Sequence, residues 1–139
     1  MSAQVEPTIR SYVAAGAITK YHGVAMTVAN LGLVSQSVTE DTTAEQFVGV
    51  AQNDAAIGER VDVIILGESF AIAGAATGIP NTSLMVNAAG RFITHVAAAA
   101  PAGAAVAGHI LSNENYVGAG ADGDRIRMFV NPRNATAAT

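Results

Sequence analysis

Apolar residues along this chain occur in short runs that are separated by Gly, Asn, Asp or Pro. Many of the runs contain β-branched residues, which favour strands over helices. Nine runs can be read between residues 24 and 130: VAMTVA, LGLVSQSV, FVGVAQ, RVDVIIL, SFAIA, SLMVN, RFITHV, AGHILS and DRIRMFV. Short runs with regularly spaced turn signals are typical of β-sandwiches and β-barrels. We therefore predict an all-β fold, a compact sandwich or barrel with little helix.

Two of the runs differ in their burial pattern. Arg125-Ile126-Arg127-Met128 alternates strictly between polar and apolar residues, as a half-exposed strand does. The run from Val61 to Leu66 begins by alternating and then becomes continuously apolar. This second pattern predicts a strand that leaves an exposed edge and enters the core or an interface.

The two ends of the chain lack these patterns. The first dozen residues have no clear period and include Pro7, so we predict an extended N-terminal arm. The predicted divisions are an arm at residues 1–15, a β-rich domain at 16–131 and a flexible tail at 132–139. An extended arm can bind by adding a strand to the edge of a partner's sheet. The residues expected to make that contact are Ile9, Arg10, Tyr12 and Val13.

Helical signals are few. The segment Thr42-Thr43-Ala44-Glu45 has the spacing of a capping box, which predicts one or two helical turns there. Pro101 can start another turn, but Gly103 and Gly108 make a long helix unfavourable.

A polar segment before Val61 contains residue types that often occur in catalytic loops. Turn formation accounts for these polar residues, so a substrate is not needed to explain them. Asp54 can cap a short turn formed by residues 55–57, and Gly58 can adopt the left-handed geometry that ends it. Glu59 and Asp62 are an odd number of positions apart, so a strand would place them on opposite faces. We therefore predict no catalytic pair of carboxylates in this segment.

The composition predicts a thin core. A chain of 139 residues suits one domain. It contains 29 alanines, four Phe, three Tyr and no Trp. Alanine buries little area, and burial stabilises a fold by roughly 25 cal/mol per Å². We expect part of the apolar surface to be buried between subunits or against a partner.

The charge and cysteine content exclude several functions. The net charge is −4, and the seven basic residues are scattered along the chain. Nucleic-acid binding requires a clustered positive face, so no nucleic-acid partner is predicted. The absence of cysteine excludes disulfides and thiol catalysis. No run has the length and hydrophobicity of a membrane span, and the N-terminus lacks a signal-peptide core, so no membrane partner is predicted.

Two further motifs have structural explanations. The segment 118–123 fits G-x-G-x-x-G, but a dinucleotide site needs that loop to open a helix. Here a strand-like run comes after the loop, so we predict a flexible connection and no cofactor. His22, His95 and His109 have no i,i+4 pairing and no carboxylate at ligand spacing, so no metal site is predicted.

Gly67-Glu68-Ser69-Phe70-Ala71 nearly matches the nucleophile elbow of hydrolases. The elbow requires a strand, a sharp turn and a helix, whereas this segment leads into an apolar strand pattern. A plain turn between two strands is the favoured interpretation. A small hydrolase using Ser69 stays open as a third hypothesis, because His95, His109 and Asp122 come later in an order that permits a triad.

Several ordered motifs between residues 45 and 130 resemble one known family. The central group is Gly49-Val50-Ala51, Asp54-Ala55-Ala56, Gly58-Glu59, Val61-Asp62-Val63 and Gly67. The C-terminal group is Ala89-Gly90-Arg91-Phe92-Ile93-Thr94, Gly108-His109-Ile110-Leu111 and Gly120-Ala121-Asp122-Gly123-Asp124-Arg125-Ile126-Arg127-Met128. Together they resemble the capsid cement proteins of tailed bacteriophages, also called head decoration proteins.

The resemblance implies a small β-rich protein with a β-tulip-like fold, usually a homotrimer, with no enzymatic activity and no cofactor. It implies a place on the outer capsid surface of the virion, after synthesis in the host cytoplasm. There the protein would bind the major capsid protein and bridge neighbouring subunits, so that the shell resists the pressure of packaged DNA. The alternative is a β-rich virion surface module that binds host glycans, although the chain has few aromatic residues for stacking.

Overall fold

The computed structural model describes residues 6–26, 37–40, 47–75, 82–95, 105–113 and 122–134. Within these ranges all regular secondary structure is β-strand, which confirms the predicted all-β fold. The strands are β1 (Thr8–Ala14), β2 (Gly23–Met26), β3 (Ser37–Glu40), β4 (Phe47–Ala51), β5 (Arg60–Ile72), β6 (Ser83–Val86), β7 (Phe92–Thr94), β8 (Ala105–Asn113) and β9 (Arg125–Asn134). The helical turns expected near Thr42 and Pro101 lie outside the described residues. The ranges that are described contain no helix of the length and hydrophobicity that a membrane crossing requires.

Five strands close into a first ring, in the order β1-β3-β2-β4-β5 and back to β1. Neighbouring strands run antiparallel, apart from the parallel pair β1 and β3. β1 pairs along β5 from Thr8 opposite Leu66 to Val13 opposite Arg60. It also pairs with β3 through Val13 and Ala14. The ring is therefore a small closed barrel, and β1 is the strand that completes it.

A second ring has the order β5-β9-β8-β6-β7, with antiparallel pairing throughout. β7 returns to the end of β5 through an isolated parallel bridge between Ala73 and Phe92. The amide of Gly74 adds a hydrogen bond of 2.7 Å to the carbonyl of Phe92. The sheet is thus nearly closed on this side as well, which confirms the predicted compact barrel.

β5 belongs to both rings, and this explains its unusual sequence. Its first half pairs with β1 and β4, and its second half, from Gly67 onward, pairs with β9. Val63 packs into a core on one face of the strand, and Ile64 packs into a second core on the other. The prediction that this strand enters a core is confirmed: the apolar run marks its passage between two cores.

The predicted turn at Gly67 and Ser69 is wrong, because β5 runs through these positions as one strand of 13 residues. The register against β1 shifts once, which leaves Ile65 as an extra residue in a β-bulge. Gly67 lies just beyond the bulge with a φ of +120°. An ideal Cβ at Gly67 would lie 2.8 Å from the Cα of Pro7. The glycine therefore serves the bulge and the close approach of Pro7, and does not reverse the chain.

The buried apolar residues form two hydrophobic cores, and the first ring contributes to both, since Phe47 and Val50 of β4 lie in the larger one. The smaller core, which draws on the first ring, consists of Tyr12, Ala14, Ile18, Val24, Ala51, Ala55, Val61 and Val63. The larger core consists of Phe47, Val50, Ile64, Ala71, Ala73, Leu84, Met85, Val86, Phe92, Ala107, Ile110, Ile126, Met128 and Val130. Phe47 and Phe92 meet edge to face, with ring centroids 5.8 Å apart. Such a pair contributes about 0.5–1.5 kcal/mol beyond the area that it buries.

The segment predicted to be an N-terminal arm is part of the sheet where the structure describes it. Residues 8–14 form β1, and β1 is paired on both of its edges. Its first four residues are exposed, and only Tyr12 and Ala14 are buried. The strand therefore has no alternating apolar pattern that sequence reasoning can detect. At the other end, residues 132–134 of the predicted tail are the last residues of β9, and the rest of the tail lies outside the described residues.

The polar segment before β5 forms a turn that is hydrogen-bonded to residues after β1. Gly58 has a φ of +85°, as predicted for the end of the turn. Glu59 Oε1 accepts a hydrogen bond of 2.6 Å from the amide of Ala56, so Glu59 takes the capping role that the sequence assigned to Asp54. Asp54 Oδ1 instead accepts a hydrogen bond of 2.8 Å from the amide of Lys20.

Candidate functional site

The four residues predicted to contact a partner do not form one surface. Tyr12 is only 7% exposed and belongs to the smaller core, so its ring is not available to a partner. Arg10 is exposed, and Val13 is half-buried. Ile9 is 54% exposed, and it is the apolar side chain of the four that a partner can reach most easily.

Three large apolar side chains are exposed among the described residues: Ile9, Ile57 and Leu66. Ile9 and Leu66 lie at neighbouring positions of the ladder between β1 and β5. Leu66 is 46% exposed. A single exposed apolar residue is ordinary on a protein surface, but neighbouring ones are candidates for contact with a partner.

Ser69 does not have the geometry of a nucleophile elbow. It lies inside β5 and is 6% exposed. Its Oγ donates a hydrogen bond of 2.7 Å to the carbonyl of Phe70 and accepts one of 2.9 Å from Nε2 of Gln52. The elbow requires an exposed serine on a sharp turn into a helix. The observed contacts give Ser69 a structural role, because they join β5 to Gln52, the residue after β4.

Ser69→Ala is expected to lower the free energy of unfolding by about 1 kcal/mol, the usual net contribution of a side-chain hydrogen bond. Gln52 keeps a second hydrogen bond, from Nε2 to the carbonyl of Val50, which limits the loss. Urea denaturation measures the change, with Ser11→Ala as the matched control because Ser11 bonds Asp62 on the exposed surface. A Ser69→Ala protein as stable as the unaltered protein would contradict this structural role.

The histidines do not assemble a metal site in the described part of the chain, where no group of three or more His, Cys, Asp or Glu side chains is positioned for an ion. His22 is buried. The ring of His109 stacks on Phe129, with centroids 5.5 Å apart. The loop 118–121 of the G-x-G-x-x-G match lies outside the described residues. The last glycine of the match, Gly123, has a φ of +90° and leads into β9 rather than a helix.

The outward side of the second ring carries the alternate residues of β5 and β9. On β9, Ile126, Met128 and Val130 are fully buried, so the residues between them face outward. The outward residues are Leu66, Glu68 and Phe70 on β5, and Arg125, Arg127 and Phe129 on β9. Two aromatic rings and two guanidinium groups therefore share one face of the sheet.

Phe70 is the centre of a group of cations and aromatic rings. The guanidinium carbons of Arg125 and Arg127 lie 4.5 and 5.4 Å from the centroid of its ring. The ring of Tyr21 is 5.6 Å away, tilted by 58°, and Nζ of Lys20 lies 4.9 Å from the ring of Tyr21. Each such cation–π contact contributes about 0.5–1 kcal/mol at an exposed site. The aromatic–arginine face is defined here as Lys20, Tyr21, Phe70, Arg125, Arg127 and Phe129.

The backbone holds Tyr21 in a conformation that few residues adopt. Its φ is +66°, and among the described residues it is the one non-glycine with a positive φ. The amide of Tyr21 donates to the carbonyl of Ala51 at 2.8 Å, and its carbonyl accepts from the amide of Ile72 at 3.2 Å. A non-glycine residue in this region costs on the order of 1 kcal/mol or more, and persists when the surroundings hold it. These bonds fix the ring of Tyr21 against Phe70.

This face has the composition of a binding surface. Tyr, Phe and Arg are enriched at the centres of protein interfaces, and the planar guanidinium matches the two oxygens of a carboxylate. The strict alternation of Arg125-Ile126-Arg127-Met128 places both arginines on one strand face, but sequence reasoning predicted no site there because the seven basic residues are scattered along the chain. In the structure Asp122 is engaged by Arg91 at 2.8 Å. Lys20 is remote in sequence from these arginines, and only folding of the chain brings it to the same face.

Comparisons with known proteins support the fold assignment. No protein-family model and no curated protein matches the chain. Among solved structures, the N base of head fiber gp8.5 in bacteriophage phi29 is similar, with a TM-score of 0.66 and 14% sequence identity. The match covers 94% of this chain and 99% of that chain. At this identity the likeness shows the fold alone, and it shows that this chain shares the fold of that head fiber base over nearly its whole length.

Proposed function

We propose that this chain is a structural protein of a phage virion that binds the outer surface of the assembled head. It bridges neighbouring major capsid subunits as a homotrimer and has no catalytic role. The observation that carries the proposal is the shared fold with the N base of a phage head fiber, which extends over 94% of this chain and 99% of that one.

Features of the surface support a contact role. Ile9 and Leu66 expose neighbouring apolar side chains on the ladder between β1 and β5, and an outward face combines aromatic rings with arginines. Ser69, the candidate nucleophile, is held inside a strand. A trimer presents three copies of each contact to a repeating lattice. Linking weak sites in this way raises avidity by about 10² to 10⁴ without any new contact.

Empty heads assembled without this protein are expected to rupture at a higher temperature once the protein is added. The physical reason is that a ligand that binds only the intact shell stabilises it by mass action. Light scattering during heating measures the rupture, and co-sedimentation measures the binding. Free capsid subunits serve as the control and are expected not to bind. Light scattering of the protein alone tests the oligomer, because a homotrimer has three times the mass of the 14.0 kDa chain. Heads that neither bind the protein nor gain heat resistance would refute the proposal.

A further inference from the structure

We infer that the aromatic–arginine face is the surface that docks onto the head, and that the partner surface presents carboxylate groups to it. The inference rests on the proposed function and adds to it the place and the chemistry of the contact. The segment that sequence reasoning chose for this contact closes the first ring instead.

The distribution of charge identifies the chemistry of the partner. The chain has a net charge of −4 and only seven basic residues. Three of them, Lys20, Arg125 and Arg127, converge on the adjacent rings of Tyr21 and Phe70. Concentrating scarce cations on one face of an acidic protein favours an acidic partner there and disfavours a basic one.

The packing of the face favours a protein surface as the partner. The aromatic rings hold the guanidinium groups in place before binding, which reduces the entropy lost when they form hydrogen bonds. Leu66, on the same side of β5, adds an apolar side chain that is 46% exposed. Glu68 lies between Leu66 and Phe70, opposite Phe129, and Asp54 accepts a hydrogen bond from the amide of Lys20. These acids help to fix the orientation of a partner on the face. A broad sheet face of aromatic rings, arginines and an apolar neighbour resembles the centre of a protein interface.

Charge reversal at Arg127 tests the location of the contact. Arg127→Glu is expected to weaken binding to empty, undecorated heads by about tenfold or more, because it opposes a carboxylate with another carboxylate. Arg60→Glu is the matched control: Arg60 is an exposed arginine on β5, and its replacement changes the net charge equally. Its affinity is expected to stay within about twofold of that of the unaltered protein. Raising the salt concentration should weaken binding of the unaltered protein more than that of Arg127→Glu.

The chain offers a direct probe of the partner, because Lys20 is its single lysine. A water-soluble carbodiimide joins amines to carboxylates that touch them. Treatment of decorated heads is expected to link Lys20 to an Asp or Glu of the capsid subunit, and mass spectrometry of the digest identifies that peptide. Lys20→Arg keeps the charge and removes the amine. Compared at equal occupancy of the heads, the digest of this variant should lack every cross-linked peptide that involves position 20.

The outcomes separate this inference from the proposed function. If the unaltered protein does not bind heads, both fail. If it binds and Arg127→Glu binds equally well, or if decorated heads give no link between Lys20 and the capsid subunit, the inference alone fails. Links from Lys20 to a second copy of this chain in the absence of heads would assign the face to self-association. Binding of carboxylated or sulfated saccharides that depends on Arg127, without any cross-link from Lys20 to the shell, would assign the face to glycans. Either of these two results would overturn the inference.

Discussion

Deletion of residues 1–15 is expected to unfold the protein. A free arm would be dispensable for folding, but the structure gives this segment the strand that closes the first ring. Its removal takes Tyr12 and Ala14 out of the smaller core and exposes Val61 and Val63 on β5. It also leaves the edges of β3 and β5 unpaired. Domains are stable by only about 5–15 kcal/mol, so these combined losses are expected to exceed the stability of the whole molecule.

A point variant tests the same idea without shortening the chain. Tyr12→Ala is expected to lower the free energy of unfolding by about 3–5 kcal/mol, the usual cost of truncating a buried aromatic ring. Ile9→Ala is the matched control on the same strand, because Ile9 is 54% exposed, and its effect should be about 0.5 kcal/mol or less. Urea denaturation followed by circular dichroism measures both. Equal stabilities for Tyr12→Ala and Ile9→Ala, together with a folded deletion protein, would show that this segment is an arm after all.

Gly49→Ala is expected to cost about 3 kcal/mol, at the upper end of the range for overpacked sites. Gly49 lies on β4 where that strand passes between β2 and β5. An ideal Cβ at this position would overlap the carbonyl oxygen of Ile64 and lie 2.7 Å from Cγ1 of Val63. The backbone of β5 must therefore move away, and this would strain both cores at once. The midpoint of thermal unfolding measures the loss.

Gly58→Ala separates the effect of space from that of backbone conformation. Gly58 has no heavy atom within 4 Å of an ideal Cβ, but its φ is +85°. The expected cost is therefore about 1–2 kcal/mol, the penalty of the left-handed conformation for a residue with a Cβ. A Gly49→Ala protein that is no less stable than Gly58→Ala would show that β4 and β5 are not packed as closely as described.

The strands that could be predicted are those in which alternation or an apolar run records burial. Arg125-Ile126-Arg127-Met128 is the clearest case, since its polar and apolar residues lie on opposite sides of β9. β1 escaped prediction because most of its residues are exposed and its pairing partners are remote in sequence. β5 was divided in two because glycine commonly marks a turn, whereas Gly67 comes after a bulge in a continuous strand. The pairing of strand edges depends on closure of the whole ring, and no local sequence pattern encodes that pairing.

The candidate site was only partly visible in the sequence. The spacing of Arg125 and Arg127 places them on one side of a strand, and this part was correctly noted. Their convergence with Lys20 joins positions more than a hundred residues apart along the chain, so charge counting along the sequence finds the cations scattered. The choice of Tyr12 as a contact residue did not anticipate its burial, because an isolated aromatic in a patternless segment gives no sign of which side it faces.

The sharing of β5 by both rings has a mechanical consequence. Two barrels joined by a linker would rotate independently, and a load on one would be taken up by bending between them. Here any tension applied to the first barrel travels along the covalent backbone of a single 13-residue strand into the second. The molecule should therefore respond to stretching as one stiff body, which suits the capsid-binding role that we propose.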